Sequence, residues 1–184
     1  MRKAVVSGWK RRAWFDWRFV SVESRWAYGL ACILFWSILS FFFCQRYVVS
    51  VGVMTERSML PTLVEGNYFL INTYIYHVAR PKRGDIVVLR RGASFSEQYV
   101  KRVIGLAGEA LLIRSGNVYI NGHRLSEPYA AGNTFPDVGP YILPKDAYFV
   151  MGDNREESED SRYFGAVALR DIEGQIKPGE LFPF

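Results

Sequence analysis

Cysteine and histidine are the scarce residues of this 184-residue sequence, with two of each. Cys32 and Cys44 fall within a single apolar run. On a helix, twelve positions separate them by about 18 Å, far beyond disulfide reach. No cysteine follows residue 44. That excludes disulfide staples, thiolate metal sites and a cysteine nucleophile from the rest of the chain. The histidines are His77 and His123, and ordinary surface or packing roles suffice for both. Their scarcity argues against a Ser-His-Asp hydrolase and against histidine-based metal sites. No His-Glu-x-x-His run and no glycine-rich phosphate loop occurs. Excess charge is also missing from most of the chain. Lys plus Arg is 23 and Asp plus Glu is 18, a net +5. Residues 1–25 hold seven basic groups and two acids, so they carry the whole excess. The other residues have sixteen of each sign. A basic nucleic-acid-binding face on the folded part is therefore not expected.

Hydrophobic residues are plentiful at 49%, and aromatics reach 16%. Residues 26–44 contain no charge, and sixteen of the nineteen are apolar or aromatic. A helix of that length approaches the ~30 Å of a bilayer's hydrocarbon core. A buried core helix would keep a polar stripe, and this run has none. A cleaved secretory signal would have a shorter core and small residues at a cut site, whereas this run ends Phe41-Phe42-Phe43-Cys44-Gln45-Arg46. The expectation is an uncleaved anchor in the lipid bilayer. The basic arm before it puts residues 1–25 in the cytoplasm and everything after Arg46 on the exported side. Trp9, Trp14, Phe15 and Trp17 suit the headgroup layer.

Residues 45–184 suffice for a real core. Short β-branched and aromatic runs predict strands near 47–54, 68–75, 85–90, 98–105 and 147–151. Asn121-Gly122 predicts a hairpin joining 117–120 to 123–125. No stretch after residue 46 keeps a helical period for three turns, although short helices are expected near 61–66 and 168–173. The fold class is mainly β with one N-terminal transmembrane helix. The organisation is a basic arm over 1–25, an anchor over 26–44 and an exported domain over 45–184.

Three polar islands interrupt the apolar strands. In the first, Ser58 precedes Pro61, so it either caps a short helix at 61–66 or sits at a turn with chemistry of its own. In the second, Lys101 and Arg102 lie inside Tyr99-Val100-Lys101-Arg102-Val103-Ile104. A strand lysine usually reaches solvent. Held in an apolar pocket instead, its ammonium is disfavoured and the neutral amine becomes a general base. The third runs from Gly152 to Tyr163 with five acids. It is either a solvated acidic loop or one folded back on the core, with Asp160 and Arg162 able to pair.

Taken in order, Ser58-Met59-x-Pro61-Thr62-Leu63, Gly84-Asp85-Ile86-Val87-Val88, Val100-Lys101-Arg102-Val103-Ile104-Gly105 and Gly152-Asp153-Asn154-Arg155-x-x-Ser158-x-Asp160-Ser161-Arg162 resemble the boxes of type I signal peptidases. Tyr119-Ile120-Asn121-Gly122 with Leu125-x-Glu127-Pro128-Tyr129 resembles theirs too. The likeness covers roughly residues 26–176. It implies a membrane-bound Ser/Lys endopeptidase with a β-rich catalytic domain and no cofactor or metal. Ser58 would be the nucleophile and Lys101 the base. Ser158 would hydrogen-bond the lysine, Asp160 and Arg162 would form a structural ion pair, and Gly152 and Asp153 would shape their loop. Met54, Met59, Leu63, Tyr99 and Val100 fall at or near positions lining small apolar pockets, although each serves equally well as core. The implied partners are signal-peptide-bearing precursors cut after small residues, and the implied place is the cell's inner membrane.

The sequence departs from that pattern at three positions. Glu56 stands two before the nucleophile, where many relatives carry a small hydroxyl residue or glycine; Thr55 and Ala107 stand where proline is usual. The chain has a single anchor and no large inserted domain, as in short forms. Two other readings accompany the general one: a dedicated peptidase for a conjugative pilin precursor, and a non-catalytic membrane-anchored interaction domain.

Overall fold

The structure is a computed structural model that describes residues 22–47, 49–91 and 97–182. Residues 1–21, most of the basic arm, lie outside the described residues. The chain divides into two compact units between Phe42 and Phe43. The first holds most of helix α1 (Val22–Tyr47). Its stretch Trp26–Cys44 has a mean hydropathy of 2.0 and none of it is buried. Side chains such as Leu30, Ile33, Trp36 and Phe42 are all more than half exposed. By length and composition this helix is able to cross a membrane.

The second unit is built from two antiparallel sheets. The strands of the larger one are β1 (Val49–Val53), β2 (Tyr68–Asn72), β3 (Ile86–Arg91), β4 (Glu97–Gly105), β9 (Ala147–Met151), β10 (Val167–Ala168) and β11 (Ile172–Phe182). Their spatial order is β1-β2-β11-β3-β4-β9-β10. The smaller sheet takes β5 (Ala110–Arg114), β6 (Asn117–Ile120), β7 (His123–Arg124) and β8 (Val138–Ile142) in the order β7-β6-β5-β8. Two helices of four residues, α2 (Ile75–Val78) and α3 (Ser161–Phe164), and a 3-10 turn at Leu169–Asp171 complete it.

Side-chain alternation explains how these strands share three cores. In β2, Phe69 and Ile71 point into a cluster with Met54, Met59, Leu63, Ile86, Val88 and Val100. In β5 and β6, Leu111, Ile113, Val118 and Ile120 are buried while their neighbours are half-exposed or exposed. Strand β9 is buried at every position, because its two faces serve different clusters. Phe149 and Met151 pack with Leu111 and Ile113, whereas Tyr148 and Val150 pack with Val87, Leu89 and Val103. A strand covered on both faces shows an unbroken apolar run, as Ala147-Tyr148-Phe149-Val150-Met151 does.

The mainly β expectation stands, and several details differ from it. Residues 61–66 form turns, closed by a Leu63 N–H to Met59 carbonyl bond of 2.9 Å, and no helix. Pro61 and Gly66 leave too few helix-forming residues between them for a second turn. The apolar helix persists to Tyr47, so β1 starts later than expected. Strand β2 stops at Asn72, whose side-chain oxygen accepts from the N–H groups of Tyr74 and Ile75 and starts α2. The Asn121-Gly122 tip takes φ of +51° and +82°, the left-handed pair that a two-residue hairpin turn requires.

Leu111 is fully buried at the junction of β5, β6 and β9. Leu111→Ala is expected to lower unfolding free energy by about 2–5 kcal/mol. Chemical denaturation followed by far-ultraviolet circular dichroism checks this.

Candidate active site

The turn after β1 and the middle of β4 bring two of the polar islands into contact. Ser58 is 4% exposed and Lys101 is 0% exposed. The Lys101 Nζ lies 2.8 Å from the Ser58 Oγ. Lys101 is placed there by register: it pairs with Val87 of β3, and Arg102 pairs with Ile86 of β3 and Met151 of β9. Its side chain is 1% exposed, so the lysine stem has no path to water. Burial accordingly pushes the Lys101 amine below the ordinary lysine range, while the carboxylates of Glu56, Asp160 and Glu159 pull it partly back. The Tyr99 ring centroid lies 5.5 Å from Nζ. Ser58 caps no helix; its hydroxyl is committed to the lysine and, at 3.4 Å, to Glu56 Oε2.

The third island folds back on this pair. Asp160 and Arg162 are both buried, joined by Nε–Oδ1 and Nη2–Oδ2 contacts of 2.8 Å each. Asp160 Oδ2 also accepts from the Gly152 N–H at 3.0 Å and from the Ser158 hydroxyl at 2.7 Å. Ser158 thus bonds Asp160, and a bond from Ser158 to Lys101, implied by the resemblance, is not among the described contacts. The Ser58 carbonyl accepts from the Asn154 N–H at 3.0 Å, so the loop holds the backbone of Ser58 directly.

Two further ion pairs went unassigned from sequence. Arg102 grips Asp153 through Nε and Nη2 at 2.8 and 2.6 Å, and its guanidinium lies 4.1 Å from the Tyr129 ring centroid. Thr62 donates to the same carboxylate at 2.5 Å. Arg155, 2% exposed, donates to Glu127, Thr134 and the Gly152 carbonyl. The available signal was charge inside otherwise apolar segments: a buried guanidinium needs a carboxylate, which the third island supplies to Arg102 as Asp153 and the segment after the Asn121-Gly122 hairpin supplies to Arg155 as Glu127.

Of the residues expected to line substrate pockets, Met54 and Val100 border a cavity of about 290 Å³ with Gly52, Glu56, Phe69 and Gln98. Met59 and Leu63 are fully buried in the apolar cluster that also holds Met54 and Val100. Tyr99 packs against the Val87 cluster. A larger cavity of about 700 Å³, bordered by Tyr76, His77, Arg80 and Lys145, includes neither Ser58 nor Lys101.

The sequence model of the family described as "Signal peptidase, peptidase S26" matches residues 23–178. The chain belongs to this family. It is 39% identical over 166 residues to signal peptidase I P of Bacillus subtilis subsp. natto, covering 84% of this chain and 85% of that protein. It is 36% identical over 154 residues to signal peptidase I of Leptolyngbya laminosa, covering 80% of this chain and 73% of that one. A crystal structure of a signal peptidase I from Enterococcus faecalis V583 is 35% identical, with a TM-score of 0.48, over 54% of this chain and 99% of that chain. Membership makes this chain a serine peptidase, and so a hydrolase, of the signal peptidase I kind.

Gly152 leaves no room for a side chain. A Cβ there would lie 2.3 Å from the Ser158 Oγ and 2.5 Å from the Ser58 carbonyl oxygen. Gly152→Ala is expected to cut peptidase activity at least about tenfold by displacing Ser58, in line with the cost of small misplacements of reacting groups. Far-ultraviolet circular dichroism should stay unchanged, and precursor cleavage measures the loss.

Proposed function

We propose that the chain is a membrane-bound Ser/Lys endopeptidase that removes N-terminal signal peptides from exported precursors, cutting after small residues. The observation that carries this reading is the 2.8 Å contact between a buried, neutral-leaning amine and a buried hydroxyl. A lysine on a purely structural strand would send its ammonium to water.

Ser58 is the nucleophile and Lys101 the general base. The neutral amine takes the Ser58 proton as Oγ bonds to the scissile carbonyl carbon. The resulting oxyanion is met by the Ser58 N–H. The Lys101 ammonium then gives its proton to the departing amine, the C–N bond breaks, and an ester to Ser58 remains. Water, deprotonated by Lys101, attacks that ester and frees the acid product. Ser158, Asp160 and Arg162, with Gly152 and Asp153, hold the loop that fixes Ser58 and Lys101. Met54 and Val100 receive the small side chain before the cut, and Met59, Leu63 and Tyr99 shape the wall behind them.

The apolar helix is the single membrane span, with the basic arm cytoplasmic and residues 45–184 on the exported side. That orientation brings the dyad to the face where signal peptides emerge. The family match and the relatives' names support a general signal peptidase over a dedicated pilin peptidase.

In detergent, the full-length chain is expected to cut a purified signal-peptide-bearing precursor after a small residue. Ser58→Ala and Lys101→Arg should each lose about 10³-fold or more in kcat/KM, the arginine because its guanidinium stays protonated. Turnover by Ser58→Ala would remove the nucleophile assignment. Because the reactive form is the neutral amine, kcat/KM should rise with pH and level off below the ordinary lysine value of 10.5. A pH titration of cleavage by the natural enzyme reads the limb directly.

A further inference from the structure

Glu56 closes a triangle with the two groups already described. Its Oε2 lies 3.4 Å from the Ser58 Oγ and 3.8 Å from the Lys101 Nζ. Its side chain is 45% exposed, against 1% for Lys101. The only ion-pair partner of Glu56 among the described residues is Lys101. A serine hydroxyl has one proton to give. With Lys101 as an ammonium, Nζ donates to Oγ and the Ser58 proton points to Glu56. The chain of bonds then runs from ammonium to hydroxyl to carboxylate, and Ser58 has no base. Nucleophilic attack needs the opposite order, with a neutral amine accepting from Ser58. Glu56 opposes both changes, since it attracts the ammonium and holds the hydroxyl proton.

We propose that Glu56 is a positioning residue that holds the Ser58–Lys101 pair in a protonated resting arrangement and thereby sets the pH above which the peptidase works. This rests on the assignment of Ser58 and Lys101 as nucleophile and base. The other charged groups around Lys101 are fixed elsewhere or farther off. Asp160 is neutralised by Arg162 and bonded by Gly152 and Ser158. Asp153 is held by Arg102, and Arg57 lies 3.9 Å from Glu157. Glu159 acts on the amine only through space. Tyr99 offers its ring to the ammonium, and the strand partner Val87 carries no charge. Glu56 is the carboxylate in contact with both reacting groups, and it also borders the cavity lined by Met54 and Val100.

The test is kcat/KM against pH, from about 6 to 11, for the full-length enzyme in detergent with a peptide spanning a signal cleavage site. The natural enzyme is compared with Glu56→Gln, Glu56→Ser, Glu56→Asp and Ser58→Ala. Removing a charge about 4 Å from the amine is expected to move the acid limb of Glu56→Gln to lower pH by about one unit or more. The rate on that limb, taken relative to each variant's own high-pH plateau, then rises about tenfold. Glu56→Ser should shift the same way, and Glu56→Asp should keep its limb near the natural position. An unmoved limb in an active Glu56→Gln overturns the proposal, as does a limb moved to higher pH. Loss of activity at every pH in both Glu56→Gln and Glu56→Ser, with unchanged circular dichroism, also overturns it, because Glu56 would then take part in the chemistry. Activity in Ser58→Ala would instead sink the underlying Ser/Lys assignment; an inactive Ser58→Ala with an unmoved limb sinks only the role of Glu56.

Discussion

An amine buried in the middle of a β-sheet is the constraint around which the second unit is organised. Taking a charged lysine out of water costs several kcal/mol unless the amine loses its proton or meets a partner. At position 101 both remedies are present: burial favours the neutral form, and a hydroxyl stands 2.8 Å away. The site tolerates nothing looser. A water path would restore the ammonium. The buried arginines of this unit are each tied to a carboxylate of their own, Arg102 to Asp153, Arg155 to Glu127 and Arg162 to Asp160.

These three pairs share a form. In each, a planar guanidinium makes two contacts with one carboxylate, which fixes orientation as well as distance. Glu56 is the exception in the neighbourhood: it has no arginine, and it touches the amine and the hydroxyl. A chain that carries its family's boxes in order thus departs from them beside its most reactive atoms. The departure is compatible with the dyad contact, since the carboxylate stays 3.4 Å from the Ser58 hydroxyl and 3.8 Å from the amine and leaves the 2.8 Å approach intact.

Much of this was legible in the residues, and the gaps have physical causes. The charge-free run 26–44 declared its helix because no other element keeps nineteen residues without a polar face. Residues 147–151 and the Asn121-Gly122 tip were equally clear, one through an unbroken apolar run and one through turn chemistry. By contrast β5, β8 and β11 passed unnoticed. Strand β8 contains Gly139 and Pro140, and β11 contains Gly174, Pro178 and Gly179; their pairing comes from neighbouring strands, not from intrinsic preference. At the site, Ser58 and Lys101 stood out as polar groups in apolar company, but their contact joins residues 43 positions apart. The bond from Ser158 to Asp160 could not be chosen from sequence, because lysine and carboxylate both offer that hydroxyl a partner and only three-dimensional placement decides between them.

The loop 152–160 is attached to more than the large sheet. Ala131 forms an isolated parallel bridge with Asn154, giving its N–H to the Asp153 carbonyl at 2.7 Å and accepting from the Arg155 N–H at 2.9 Å. Through Glu127 and Thr134, Arg155 fastens the same connection a second time. For anyone labelling or tethering this enzyme, residues 127–134 are consequently a poor place for a fluorophore or linker, since a disturbance there travels one hydrogen bond at a time to the backbone of Ser58. The exposed Asn121-Gly122 tip is bonded to Ala110 of the smaller sheet and not to the 152–160 loop, and is the better handle.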